Sequence, residues 1–148
     1  MAITFMIFIA LVLAIPNPPP MANPSDLAKW ANCSPPKIAY GVSQRIEYKL
    51  TKGWESAEAC LKRGNGDCKC MAKIADETIG FCDGYTHRII TLKSVGFPSR
   101  YHAITIYTDS KGRRGFINSE QSVEFPPDTD WNKIISSVQG GPWEVYNK

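Results

Sequence analysis

The sequence carries no strong excess of either charge: 17 Lys and Arg stand against 14 Asp and Glu, a net charge of +3. The basic residues are scattered and form no stripe, so nucleic acid is not among the expected partners. No internal repeat is present, which sets aside solenoids and propellers. Long apolar runs are missing too. The longest unbroken one, Phe5 to Ile15, falls short of the roughly 20 residues a helix needs to span a bilayer. Histidine is the scarcest of the chemically useful residues, with two copies, His87 and His102. Any reaction that needs an imidazole must use one of them.

The run Phe5 to Ile15 has the length of a signal-peptide core. No Lys or Arg precedes it, and prolines crowd the region where cleavage would occur. Residues 1–22 therefore read as a signal peptide or N-terminal anchor, with a buried segment as the remaining alternative. Export, giving a periplasmic or secreted protein, is the preferred reading; a membrane partner follows only if the segment is retained. Five cysteines in an exported chain imply disulfides, and the odd count leaves one thiol over. That arithmetic suits one reactive cysteine beside up to two bridges, with the pairing open.

With 43% hydrophobic and 21% charged residues, the chain has the composition and length of a single globular domain. Seven prolines between positions 16 and 36 suggest an extended linker, placed at 23–37, around one short amphipathic piece from Asp26 to Trp30. The folded domain is expected over 38–148. Ile38, Val42, Ile46 and Leu50 recur every four residues and favour a helix, while Ile46, Tyr48 and Leu50 in alternation support a strand over Arg45 to Leu50. Ser56 to Arg63 reads as a second helix, stopped by Gly64 and Gly66. A third starts after Asp67, with Cys68, Met71, Ala72, Ala75 and Ile79 at helical spacing and Gly80 as its expected cap. The period then changes to two. Arg88 to Val95, Tyr101 to Tyr107 and Arg114 to Asn118 read as strands, the last two joined by a turn at Asp109 to Gly112. A polar loop over 126–130 leads to a short helix, Trp131 to Val138, and Trp143 to Tyr146 reads as an edge strand. The third helix against an antiparallel meander gives an α+β two-layer domain.

The glycine-rich turn Gly64 to Gly66 delivers Cys68 to the start of that helix. Unpaired N–H groups and the positive dipole end there favour thiolate, the nucleophilic form of cysteine. Such a nucleophile needs a base and a group that orients the base. His102 shares a strand face with Ile104 and Ile106. A hairpin centred on Ser110 sets His102 opposite Asn118, near enough for the amide to hold the imidazole. A turn centred one residue later would shift that pairing. Asp67 is expected to cap the helix. The cysteines lack the spacing of paired zinc knuckles, so no metal or other cofactor is called for.

Trp54, Glu58, Leu61 and Gly66-Asp67-Cys68, followed by His102-Ala103 and Gly115-Phe116-Ile117-Asn118, resemble the bacterial transglutaminase-like cysteine peptidases, in the wider transglutaminase-like and papain-like superfamily. The similarity covers about residues 38 to 120, most of the mature chain. It implies a papain-like α+β core, in which a central helix from the N-terminal half bears the cysteine and packs on an antiparallel sheet. It also implies thiol chemistry on the amide bonds of a protein or peptide substrate. By this resemblance Cys68 is the nucleophile, His102 the general base and later acid, and Asn118 the orienting group. Trp54 either walls the cleft or offers its indole N–H to the oxyanion. Two positions depart from the pattern. Asn118 stands where the family usually has Asp and matches papain-like proteases instead, so the imidazolium gains an acceptor but no ionic partner. Lys69 stands where calcium-regulated members carry an acidic residue, which argues against calcium dependence. The expected function is a thiol hydrolase, peptidase or amidase, working through an acyl-enzyme on Cys68. The alternatives are transglutaminase-type acyl transfer and a catalytically inactive secreted binding module of the same fold.

Overall fold

A computed structural model describes residues 21–146, so the run Phe5 to Ile15 lies outside the described residues. Helices α1 (Pro24–Ala31) and α2 (Pro35–Arg45) come first. The stretch 23–37, expected as an extended linker, is therefore mostly helical. Pro24, Pro35 and Pro36 stand in first turns, where a backbone N–H has no intrahelical partner and the proline φ already suits a helix. Asn23 caps α1 by accepting the Asp26 N–H at 3.0 Å. Leu27, Ala31, Ile38 and Val42 are buried in one core with the central helix, so that core reaches upstream of residue 38.

The stretch 38–50 contains both of its competing readings. α2 ends at Arg45, and β1 (Glu47–Tyr48) follows, pairing in parallel with β2 (Asn65–Gly66). Between them lies α3 (Ala57–Arg63), capped by the Ser56 hydroxyl and ended by Gly64 at φ 78°, a left-handed conformation that glycine adopts without strain. The central helix α4 (Cys68–Gly80) starts on Asp67. Gly80 is not the left-handed cap expected of it: it closes the helix as its last residue, and Phe81 occupies the cap position.

The remaining elements are β3 (Thr86–Ser94), β4 (Tyr101–Thr108), β5 (Arg114–Asn118), β6 (Gln121–Phe125), α5 (Trp131–Ser136) and β7 (Trp143–Val145). The five strands form one antiparallel sheet in the order β6-β5-β4-β3-β7. Strand β6 was not anticipated. It returns from β5 through Ser119 and Glu120, with Ser119 at φ 52°, and that pair lacks the Asn-Gly type of signal that marks a tight hairpin. Both faces of the sheet are covered. Tyr107 and Ile117 pack with Met71, Ile74 and Ala75 of α4, and the Thr105 hydroxyl donates to the Ala72 carbonyl at 2.7 Å. On the other face Ile90, Leu92, Ile104, Ile106 and Phe116 pack with Ile134, Ile135 and Val138. The architecture is α+β, with a helix-bearing layer on an antiparallel sheet.

Two disulfides brace the central helix. Cys33–Cys82 ties the second residue past α1 to the second residue past α4, and Cys60–Cys70 ties α3 to the first turn of α4; Cys68 is the free thiol. Among the described residues, no helix is long and apolar enough to cross a membrane.

Gly115 lies opposite Tyr107 in the β4–β5 ladder, and a Cβ there would sit 2.5 Å from the tip of the Tyr107 ring and 2.7 Å from the Val123 carbonyl oxygen. Gly115→Ala is expected to destabilise the fold by about 1–3 kcal/mol, the range for overpacking a filled site. The measurement is the urea midpoint at unchanged m-value; a wild-type midpoint would mean that the Tyr107 ring yields freely.

Candidate active site

Asp67 organises the start of α4. Its carboxylate accepts the Lys69 backbone N–H at 3.0 Å, the Lys69 ammonium at 2.6 Å, the Thr51 N–H at 3.1 Å and the Thr51 hydroxyl at 2.9 Å. At 2% exposure it is buried. Burial pushes the carboxyl up, but the Lys69 ammonium and the Thr51 and Lys69 N–H donors outweigh it, so Asp67 titrates below the usual carboxylate range. Capping, the role expected for Asp67, is thus only part of what it does. The Thr51 bonds, with the Lys49 N–H on the Gly66 carbonyl at 2.8 Å, also pin the segment that carries Trp54.

Cys68 is half-buried beside Asp67. Burial raises its thiol, while hydrogen bonding with His102 and with the Ala103 backbone N–H lowers it by more, leaving the thiol below its ordinary value. The Asp67 charge opposes that change, and the Lys69 ammonium on Asp67 tempers the opposition. His102 moves the other way. Burial lowers the imidazole, but its bonds with Cys68 and Asn118 more than restore it, so His102 titrates above its ordinary value. An acidified thiol beside a more basic imidazole favours a thiolate–imidazolium pair.

The His102 Nε2–H donates to Asn118 Oδ1 at 2.6 Å, because an amide oxygen can only accept. Asn118 Nδ2 in turn donates to Gln121 Oε1 at 3.3 Å, which selects this orientation of the amide. Nδ1 is then the ring nitrogen left for the thiol. The meeting of His102 and Asn118 was expected, but the register is not the expected one. Thr105 faces Ile117 and Thr108 faces Arg114, so the hairpin is centred on Lys111, one residue beyond Ser110. Moving the centre by one residue moves the register by two, which keeps every side chain on its face. Continuing this register brings Asn118 opposite Ile104, and His102 becomes its diagonal neighbour, still within reach of a ring and an amide.

Two further residues touch this pair and were missed. Trp143, read from sequence as the start of an edge strand, stacks on His102 with ring centroids 5.7 Å apart, and the Arg100 guanidinium lies 5.4 Å from the Trp143 ring. Gln121 arrives on the unanticipated β6. Neither has a local signal, since each depends on which strands become neighbours. Trp54, half exposed, shares a cavity of about 200 Å³ with Cys68, Lys69, Thr91, Tyr101, His102 and Ala103. The other histidine is elsewhere: His87 Nδ1 pairs with Asp76 at 2.8 Å. Glu55, Cys60 and Cys70 come within 4.8 Å of one another, but both sulfurs belong to a disulfide and Glu55 is ion-paired with Arg63, which leaves no donor set for a metal.

No family model matches the sequence, and no curated protein matches it. Among solved structures the chain is similar to LapG of Legionella pneumophila, at 16% identity and a TM-score of 0.47 over 61% of this chain. It is similar to the calcium-bound form of LapG at 17% identity and the same TM-score over 62% of this chain. The chain spans 55% of the length of each.

Asp67→Ala removes the cap and the Thr51 anchor together and is expected to cost about 2 kcal/mol in urea denaturation at pH 7. Because the folded carboxyl titrates below its unfolded value, the stabilisation is present above the unfolded pKa and is lost as pH falls through the folded one. The gap between wild type and variant should therefore close at pH values below the usual Asp value of about 4. A gap that does not change with pH would show that the charge of Asp67 contributes nothing.

Proposed function

We propose that the protein is a thiol hydrolase, a cysteine peptidase or amidase with a papain-like, transglutaminase-like core, and that Cys68, His102 and Asn118 are its catalytic residues. The supporting observation is the opposed displacement of the Cys68 and His102 pKa values across a pair whose imidazole is held by Asn118 at 2.6 Å. In this reading the Cys68 thiolate attacks an amide carbonyl carbon. The Sγ–C bond forms, and the carbonyl π electrons move onto oxygen. The Cys68 N–H at the helix start is one donor to that oxyanion, with the Trp54 indole as candidate second donor. Collapse restores the C=O and breaks the C–N bond, and His102 passes its Nδ1 proton to the leaving amine. A water deprotonated by His102 then attacks the thioester, and Sγ departs as thiolate. Asn118 accepts the Nε2–H throughout.

An amine in place of water would give transglutaminase-type transfer. Hydrolysis is preferred because it needs no second binding site. A binding module without catalysis would gain nothing from an acidified thiol paired with an oriented imidazole. The two disulfides suit an oxidising compartment and support a periplasmic or secreted protein. The Lys69 ammonium already neutralises Asp67 at 2.6 Å, which supports action without calcium.

Iodoacetamide on the native, unreduced protein is expected to alkylate Cys68 with an apparent pKa below the value of about 8.5 for a free thiol; labelling no faster than a model thiol would sink the proposal. Chelation with EDTA should leave that rate unchanged. The pH profile of kcat/KM should be a bell whose acid limb is Cys68 deprotonation and whose alkaline limb is loss of the His102 proton. In Asn118→Ala the imidazolium loses its acceptor, so the His102 pKa falls and the Cys68 pKa rises. The limbs then move toward each other, and kcat/KM on a cleaved peptide drops by about tenfold or more. Asn118→Asp should instead carry the alkaline limb upward, since a carboxylate adds charge stabilisation.

A further inference from the structure

The cavity at Cys68 continues into a second one of about 500 Å³, lined by Trp54, Ile89, Thr91 and Tyr146. Trp54 and Thr91 line both, so the two form one cleft that runs from the sulfur across the β3 face of the sheet. That volume falls within the range of about 300–1,000 Å³ usual for ligand sites. Three large rings wall the cleft. Trp54, Tyr101 and Tyr146 are 53%, 54% and 55% exposed, and Tyr101 and Tyr146 meet edge to face with centroids 5.1 Å apart. Two of these walls stand on bonded backbone. The Tyr146 N–H donates to the Thr91 carbonyl at 2.8 Å, and the Trp54 segment is pinned through Thr51 to Asp67.

Among the described residues, the lining of the outer part of the cleft has no ionisable side chain other than the Tyr146 phenol. Nearer the sulfur the lining ammonium is Lys69, which is committed to Asp67. Aromatic walls of this kind gain by covering an apolar side chain, whereas a carboxylate brought between them would lose water.

We propose that this cleft is the acyl-side specificity site, and that it selects peptides with a large apolar or aromatic side chain next to the attacked carbonyl and discriminates against acidic ones. The assignment rests on the thiol-hydrolase reading. Its test uses four peptidyl vinyl sulfones that differ only in the side chain nearest the vinyl group: Phe, Leu, Gly and Asp. The thiolate adds to the vinyl carbon β to the sulfone, the π electrons move to the carbon α to it, and the imidazolium protonates that carbon, with no leaving group. Adduct formation at Cys68 is followed by intact mass, and each rate is divided by the same protein's iodoacetamide rate. Phe and Leu probes are expected to exceed Gly by about tenfold or more, with Asp slowest. Tyr146→Ala should lose most of the Phe-over-Gly preference, and Tyr146→Phe should keep it. A Phe-to-Gly ratio near one, or the wild-type ratio in Tyr146→Ala, with Cys68 still quickly alkylated by iodoacetamide, overturns the cleft assignment and spares the thiol chemistry. A Cys68 no more reactive toward iodoacetamide than a model thiol overturns both.

Discussion

A buried carboxylate needs donors and, where it stays charged, a cation to replace its water, and the Asp67 carboxylate meets that demand with Thr51, 16 residues before it, and Lys69, just after it. Thr51 supplies a backbone N–H and a hydroxyl; Lys69 supplies a backbone N–H and its ammonium. Because the bonds must form together, the chain before α3 closes over the start of α4. That closure brings Trp54 to the cleft that contains Cys68. It also sets a charge balance beside the sulfur, since Asp67 alone would disfavour thiolate and the adjacent ammonium offsets it.

The helix positioned this way is braced at several points. Cys60–Cys70 and Cys33–Cys82 link α4 to α3 and to the end of α1, and the Thr105 hydroxyl ties its backbone to β4. Thiol and imidazole come from different elements, Cys68 from α4 and His102 from β4, so their separation depends on helix-to-sheet packing. A reactive pair tolerates little error in that separation, and a helix joined to the sheet and to two other helices limits the error. On the far side of His102, Trp143 and Asn118 restrict the ring by stacking and by a hydrogen bond.

Local signals in the sequence predicted most of the elements that carry this arrangement. Asp67 before Cys68, Ser56 before Ala57 and the glycine turn between α3 and α4 are cap and stop signals that act within one helical turn, and the helices begin where those residues stand. The five-residue strand Arg114 to Asn118 follows from the turn at Asp109 to Gly112, which sends the chain back along the strand before it. Failures arose where distant packing decides. The prolines at 24, 35 and 36 read as linker because proline breaks helix interiors, yet each begins a helix whose apolar face is buried by α4. The hairpin centre was one residue out because Asp109 to Gly112 allows more than one turn. The face of His102 survived that error because the register changed by an even number.

By itself, then, the sequence determined the short-range features: where helices start and stop, that an odd cysteine count leaves one thiol over, and which of two histidines shares a face with Asn118. These depend on backbone hydrogen bonding and side-chain periodicity over a few residues. Tertiary structure alone decided the neighbours: Trp143 over His102, Gln121 on Asn118, Thr51 on Asp67, and the aromatic cleft beyond Trp54. Strand order, register and disulfide pairing bring those groups together from far along the chain, and no local propensity records which distant residue will satisfy a buried polar group or cover a ring.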